Sequence, residues 1–272
     1  MLLKNLFIFF TLCSLCSCAV IERRIYSPTQ INTPSLREKK DHSFSVTVST
    51  PAGFDLNGAY ALTNRLAIVG GVFNYKNDDG EKDYSLFSSQ RDSSLLTYKH
   101  KGFHIGAGGY FPLTKPSPSS LFLSVFGTLT KGDFEMTESS FSTSSPGVEK
   151  NNFYASDIRR WALQSSLHFY SKHVHLAITT RYNYVGYFDV TTDYTSSEQL
   201  SYNLPPVAYP RWSSFIDFGF DTKIFFSEKQ KLGVQLFGLV TTRAKHRDFN
   251  FYYYPARIGA GLIVNSPFKN KK

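Results

Sequence analysis

Alternation of apolar and polar residues dominates the chain from Ser43 onward. In residues 212–226 the even positions are mostly apolar, whereas the odd positions include Asp217, Asp221 and Lys223. Successive side chains of a β-strand point to opposite faces, so this period of two predicts a strand with one apolar and one polar face. The segment, at about 15 residues, is long enough for a tilted membrane-crossing strand with an extension.

The same pattern recurs along the chain and predicts ten strands. They lie at about 43–49, 53–61, 66–76, 97–111, 121–131, 154–171, 174–188, 210–226, 231–243 and 254–265. Short links alternate with longer polar links near 77–96, 132–152, 189–209 and 244–252. We therefore predict an all-β fold, an antiparallel up-and-down β-barrel over 43–265, with short periplasmic turns and longer outer loops.

The strand count depends on the first pair, because Thr50 to Gly53 forms either a turn or a kink. If the first segment does not pair in the barrel, eight strands are the alternative. An even count places both ends of the barrel on the periplasmic side, which suits an N-terminal lipid tether. In such a barrel the apolar faces contact lipid, and Trp212, Tyr187 and Tyr252 to Tyr254 are candidates for interfacial girdles.

Charged residues on the polar faces form a candidate polar cluster in the lumen. A barrel of eight to ten strands has a narrow interior, so opposite charges are expected to pair there and plug it. This disfavours a wide diffusion pore. The members of the predicted cluster are Asp55, Arg160, Arg181, Asp217, Asp221, Lys223 and Arg257.

The N-terminus has the features of a secretory leader over residues 1–17. Lys4 precedes an apolar run that is too short to span a bilayer. The following Leu15-Cys16-Ser17-Cys18 resembles the bacterial lipobox, with Leu three before the cysteine and a small residue one before it. The resemblance implies cleavage before Cys18 and acylation of that cysteine. The alternative is an ordinary secretory signal.

The cysteine count limits the chemistry of the mature chain. All 3 cysteines lie within the first 18 residues. If Cys18 is acylated no thiol remains, which excludes disulfides, a thiolate metal site and a cysteine nucleophile. His100 and His104 are about 13 Å apart along one strand, too far to share a metal ion. We expect no cofactor beyond the covalent lipid on Cys18.

Two segments outside the barrel have a different composition. Residues 18–42 carry Pro28, Pro34 and several charges without a sustained period, which predicts a lipidated flexible tether; residues 266–272 form a basic tail. The basic residues of this tether either attract anionic headgroups or belong to a solvated linker. The net charge of +9 is scattered, so nucleic acid is not an expected partner.

Three segments resemble a known family. They are Leu56–Ile68, Arg159–Ser166 and Thr180–Val185, and they are similar to hairpins of outer-membrane barrel lipoproteins of the Bacteroidetes type. The resemblance implies a fold and supplies no activity. Many outer-membrane barrels end on an aromatic residue that is recognised during assembly, whereas here Phe268 is followed by four further residues.

The leading hypothesis is a non-enzymatic outer-membrane protein, lipid-anchored, with loops facing outside and a structural or surface-interaction role. Its expected partners are outer-membrane lipids and the lipoprotein-processing and barrel-assembly machineries; the sequence indicates no oligomeric state. The alternatives are a narrow channel or ligand conduit, a soluble lipocalin-like carrier, and a membrane-embedded hydrolase. The last rests on Ser166 and His168, which share one strand face.

Overall fold

The computed structural model describes residues 23–82, 93–114, 119–141, 149–227, 230–244 and 252–265. Cys18, the predicted leader and the basic C-terminal tail lie outside the described residues. Within the described ranges, no helix is long and apolar enough to cross a membrane. A short helix, α1 (Ser196–Ser201), follows one of the long strands.

Ten strands form one closed antiparallel barrel, which confirms the predicted fold. Each strand pairs with its neighbours in sequence, and the last pairs with the first to close the barrel. The first hairpin joins the wall, so the count is ten and not eight. The strands are β2 (His42–Thr50), β3 (Gly53–Ala61), β4 (Leu66–Lys82), β5 (Ser93–Pro112), β6 (Ser120–Phe141), β7 (Glu149–Tyr170), β8 (Val174–Thr192), β9 (Arg211–Phe225), β10 (Leu232–Arg243) and β12 (Ala256–Asn265).

The wall of the barrel is uneven in height. Strands β2 and β3 have 9 residues each, whereas β6 and β7 have 22 each. Part of the predicted loop 132–152 is therefore strand. The apolar outward face ends near Leu129, but inward-facing Phe134 and Met136 are fully buried and continue the strand beyond that point.

The two faces of the strands point as the alternation predicts. Phe218 and Phe220 are 52% and 54% exposed, whereas Asp217 and Asp221 are 0% and 3% exposed. A soluble protein has the opposite arrangement, with apolar side chains inside and charges outside. The lipocalin-like alternative, which needs an apolar interior, therefore does not fit this barrel.

The prediction of a flexible tether is wrong for the described part of that segment. Residues 25–36, here called the plug segment, run through the interior of the barrel. Ile25 lies at the rim that carries the long connections, here called the loop rim, and Leu36 lies at the opposite turn rim. The polar plug residues are ordered because groups in the lumen, not water, satisfy their hydrogen bonds.

The start of the plug forms a small sheet of its own. Strand β1 (Arg24–Tyr26) pairs in parallel with β11 (Tyr252–Tyr253) just inside the loop rim. The amide of Tyr254 donates to the carbonyl of Tyr26 over 3.0 Å. The described chain therefore begins at the loop rim, whereas β2 begins and β12 ends at the turn rim.

Candidate functional site

The plug segment contacts the lumen in three layers. An aromatic layer surrounds Ile25 and Tyr26 near the loop rim, and an apolar layer surrounds Leu36 near the turn rim. Between them lies a charged layer. All of the predicted lumen residues are buried in the charged layer, and each cation of the set has a contact with the plug or with an acid that also binds the plug.

The first charged contact joins β12, β3 and the plug. Arg257 Nη2 lies 2.9 Å from Asp55 Oδ2, and Arg257 Nη1 donates to the carbonyl of Pro28 over 2.8 Å. Tyr75 donates its hydroxyl proton to the other oxygen of Asp55. The guanidinium also lies 3.7 Å above the ring of Tyr75. The Arg257 guanidinium thus pairs with Asp55 and still donates a hydrogen bond to the backbone of the plug.

The second charged contact lies between β8 and β9. Arg181 donates to Asp217 Oδ2 over 2.6 and 2.9 Å, and also to the carbonyl of Thr29 over 2.8 Å. Asn183 and Thr241 donate to the same carboxylate over 2.8 and 2.7 Å. A buried carboxylate costs several kcal/mol unless it is paired, and Asp217 has three side chains that pair with it.

The third charged contact is at Thr33 of the plug. Lys223 donates to the Thr33 carbonyl, and the Thr33 hydroxyl donates to Asp221 Oδ2 over 2.8 Å. The direct distance from Lys223 Nζ to Asp221 Oδ1 is 4.0 Å, so Thr33 bridges the two charges. Gln235 donates to the same oxygen of Asp221. Without the plug, this pair would lose the group that joins it.

Arg160 differs from the other cations because it makes no salt bridge within the described residues. Its Nη2 donates to the Thr29 hydroxyl over 2.8 Å and to Thr130 over 3.0 Å. The expected charge pairing therefore holds for three of the four cations. Arg160 is the exception, because its partners Thr29 and Thr130 are uncharged. A buried guanidinium needs acceptors in place of water, and the plug supplies one of them.

Contacts at the loop rim hold Arg23, the first described residue, in place. Arg23 donates to both oxygens of Glu138 over 2.7 and 2.9 Å, and its guanidinium lies 3.2 Å from the centre of the Tyr202 ring. Burial lowers the pKa of Arg23, but the hydrogen bond and the charge of Glu138 outweigh it and raise the pKa overall. Arg23 thus binds a carboxylate of the protein, which differs from the expected attraction to lipid headgroups.

The turn rim has a neutral hydrogen-bonded chain. Ser124 Oγ lies 2.7 Å from His168 Nε2, His168 Nδ1 lies 2.9 Å from His175 Nε2, and His175 Nδ1 lies 2.7 Å from Ser35 Oγ of the plug. The ring of Tyr170 stacks on His175 at 4.2 Å. Both imidazole rings are buried, and neither is hydrogen-bonded to a carboxylate of the described chain, which favours their neutral form. The chain therefore runs from the barrel wall to the plug without a charged member.

The predicted serine–histidine hydrolase pair is not formed. Ser166 is hydrogen-bonded to Thr179 and Gln164, and not to His168. Ser124 does contact His168, but the plug fills the space beside it. Two lumen cavities have volumes of only about 10 Å³ each, barely room for one water. Within the described residues, no group of three or more His, Cys, Asp or Glu could hold a metal ion.

One close approach explains a glycine on the polar face. A Cβ on Gly219 would lie 2.7 Å from Cδ1 of Ile31 in the plug. Carbon atoms in contact are normally about 3.5–4.0 Å apart, so glycine leaves room here for the plug. The inner face of the wall therefore complements the plug segment in shape as well as in charge.

The residues predicted for aromatic girdles divide between the outer and inner faces of the barrel. Trp212 faces outward and stacks on Tyr184 with ring centres 4.5 Å apart. Tyr187 and Tyr254, in contrast, are buried inside the loop rim, and the hydroxyl of Tyr187 donates to the carbonyl of Ile25. Tyr187 points inward because its position in β8 shares the parity of Arg181 and because the plug provides a partner. Tyr254 lies between β11 and β12, and its hydroxyl is hydrogen-bonded to Asn77 and Asp79.

The plug was the feature that the sequence interpretation missed. A signal for it exists, because residues 25–36 carry no charge while basic residues flank both ends. Twelve extended residues span about 40 Å, enough to cross a barrel from rim to rim. The two prolines were read as marks of a linker, but an extended plug without strand partners tolerates them equally well.

Comparison with known proteins adds little to this geometry. No family model matches the chain, and no curated protein matches it. Among solved structures, the outer membrane protease OmpT from Escherichia coli has 9% identity and a TM-score of 0.46, covering 85% of this chain and 94% of OmpT. The toluene transporter TodX from Pseudomonas putida has 10% identity and a TM-score of 0.27, covering 84% and 89% respectively. Both similarities are too distant to carry an argument about this chain.

Proposed function

We propose that the protein is an outer-membrane barrel, anchored by acyl chains on Cys18 after removal of residues 1–17, and closed by its own plug segment. Its role is structural or surface-interacting, and its lumen does not conduct. The observation that carries this proposal is the charged layer, in which barrel cations bind backbone carbonyls of the plug.

A continuous apolar band on the outside supports the membrane location. On β5, β6 and β7 it covers the outward positions of 103–111, 121–129 and 161–169. Each range is about 26 Å long along the strand, or about 20 Å high after allowance for strand tilt, close to the height of such bands in membrane barrels.

The upper edge of the band is sharp and supports the same conclusion. The outward face changes from apolar to charged at Lys101, Lys131 and Arg159, and the last two are paired in the strand register. Above this edge Lys101 pairs with Asp133 at 3.5 Å, and Lys99 pairs with Glu135 at 3.3 Å. Exposed ion pairs of this kind belong in water.

The tall wall supports a surface role. Beyond Lys131, β6 continues for ten more residues to Phe141, and β5 and β7 accompany it. This part projects from the apolar band on one side of the barrel. A projecting wall with both signs of charge offers a surface for partners, whereas the filled lumen offers no path for a solute.

Reconstitution into planar bilayers tests the closed lumen. The full mature protein is expected to show no steady conductance. A matched variant in which residues 28–33 are replaced by glycine and serine keeps the chain length but loses the plug side chains. It keeps the carbonyl acceptors but loses the side-chain volume that fills the lumen, so it is expected to show flickering currents, and these would show that the assay detects an open lumen. Steady conductance of the unmodified protein would assign the narrow-channel function instead.

A fractionation experiment tests the two modes of attachment. The Cys18→Ser variant should lose incorporation of labelled palmitate, yet stay in the membrane after a high-pH wash and migrate differently on gels after boiling. Release of this variant by the wash would contradict the inserted barrel. Unchanged palmitate incorporation would contradict acylation of Cys18.

A further inference from the structure

The two ends of the plug segment are fixed at opposite rims. At the loop rim Arg23 is bound to Glu138, three residues before the end of β6. At the turn rim Asp41 accepts the amide protons of Arg37 and Glu38 over 2.9 and 3.0 Å. The chain therefore crosses the whole barrel between residues 25 and 36, and it does so inside the wall.

We propose that the plug carries the lipidated end of the chain through the barrel, so that the acyl chains on Cys18 enter the membrane leaflet on the loop side. This inference rests on the proposed function for the acylation of Cys18 and for loops that face outside. It replaces the expectation that both ends of the chain, and with them the tether, lie on the periplasmic side.

Chain length decides which leaflet Cys18 can reach. Cys18 precedes Arg23 by five residues, which span at most about 18 Å. Glu138 lies seven residues beyond the edge of the apolar band at Lys131, about 23 Å along the strand and less in height because the strand is tilted. Because Arg23 lies inside the barrel, the chain must also pass over the wall, so the loop-side surface of the membrane lies at the limit of the reach of Cys18. The far leaflet lies about 20 Å deeper and is beyond that reach.

The lumen offers no route for a lipidated end to return. Arg160, Arg181 and Arg257 surround the plug, and the two small cavities of the charged layer have volumes of only about 10 Å³ each. A diacylated cysteine cannot pass such a space. The barrel must accordingly close around the plug during assembly, with the lipidated end already on the loop side.

Four variants, each with one added cysteine, test the crossing on intact cells with a membrane-impermeant maleimide. Arg24→Cys probes the residue just before the plug at the loop rim, where its side chain is 34% exposed. Lys39→Cys probes an exposed position after the plug. Leu200→Cys, 72% exposed in α1, marks the loop rim, and exposed Arg65→Cys marks the turn rim. The unmodified protein controls for labelling of Cys18, and heat-modifiable migration controls for folding.

We expect labelling of Arg24→Cys together with Leu200→Cys on intact cells, and labelling of Lys39→Cys and Arg65→Cys only after permeabilisation. Labelling of Arg24→Cys and Lys39→Cys on the same side would overturn the crossing. Labelling of Lys39→Cys and Arg65→Cys alone would leave the crossing intact and reverse the proposed orientation, so the two failures are distinguishable.

The position of the lipid needs a separate readout. A protease recognition sequence is inserted between Glu22 and Arg23, and in a matched control between Lys39 and Lys40. Protease added to palmitate-labelled intact cells should separate the label from the barrel only in the first variant. Retention of the label on the barrel in that variant, with cleavage after permeabilisation, would show that the lipidated end lies on the periplasmic side and would overturn the proposal.

Discussion

The charged layer and the turn-rim layer hold the same plug by different means. In the charged layer, Arg181 and Arg257 are each paired with an aspartate and each also donate a hydrogen bond to a plug carbonyl. In the turn-rim layer, His175 and Tyr170 hold Ser35 and Leu36 through neutral hydrogen bonds and apolar contact. Removal of one member therefore leaves a buried charge in the first layer and only a small void or an unpaired neutral group in the second.

The difference indicates separate tasks for the two layers. Carbonyl oxygens recur at every residue, so cations that bind them tolerate many plug sequences, but they require the plug to be present. The turn-rim contacts depend on the side chains of Ser35 and Leu36 and so determine register. We expect the charged layer to decide whether the barrel is stable and the turn-rim layer to decide where the plug stops.

The largest effect is expected for Asp217→Ala. This change leaves Arg181, Asn183 and Thr241 without their shared acceptor, and loss of one member of a buried pair costs about 3–5 kcal/mol. Urea unfolding in lipid vesicles, followed by tryptophan fluorescence, measures the free energy of unfolding. The double variant Arg181→Met with Asp217→Leu removes both charges, and it should recover most of the loss. A double variant as unstable as the single one would contradict this account.

A smaller effect is expected for Leu36→Ala at the turn rim. Leu36 is buried among Phe122, Tyr110 and Tyr170, and truncation of a buried leucine costs about 2–5 kcal/mol, with the lower end expected near a rim that can relax. The same urea titration measures it. Exposed Leu62→Ala at the same rim is the control and should change stability little; equal losses in both would remove the special role of Leu36.

The histidine chain should contribute less. His175→Leu leaves Ser35 and His168 each without one neutral partner, at a cost of about 1–3 kcal/mol. Ser35→Ala removes the plug side of the same contact. If the chain links wall to plug, the double variant should lose less free energy of unfolding than the sum of the two single changes. Additive losses would show that the two groups act independently.

The smallest effect is expected for Asp133→Asn on the outside of the tall wall. Its ion pair with Lys101 is more than half exposed on the lysine side, and such pairs contribute at most about 1 kcal/mol. A loss of unfolding free energy as large as that of Asp217→Ala would mean that the Lys101–Asp133 pair is shielded from water. Charges on the outer wall would then contribute as much to stability as charges in the lumen.

Particular residues explain how much could be predicted. Period-two alternation identified all ten barrel strands, since Phe218 and Asp217 must face opposite sides in any strand. The same reasoning assigned the seven charged residues to the lumen side. It missed the last ten of the 22 residues of β6, because there the outward side chains are polar and only the inward Phe134 and Met136 alternate. It also missed the plug, whose residues have no period because no sheet includes most of them.

The sequence by itself determined which side chains face outward and which face inward, because backbone geometry alone fixes that alternation. Only the tertiary structure decided what fills the interior. Closing ten strands brings Arg160, Arg181, Lys223 and Arg257 from separate parts of the chain around one extended segment. Their burial is tolerable because that segment supplies carbonyl and hydroxyl acceptors in place of water. A local sequence pattern does not show this arrangement, because it involves side chains from four strands and a separate segment of the chain.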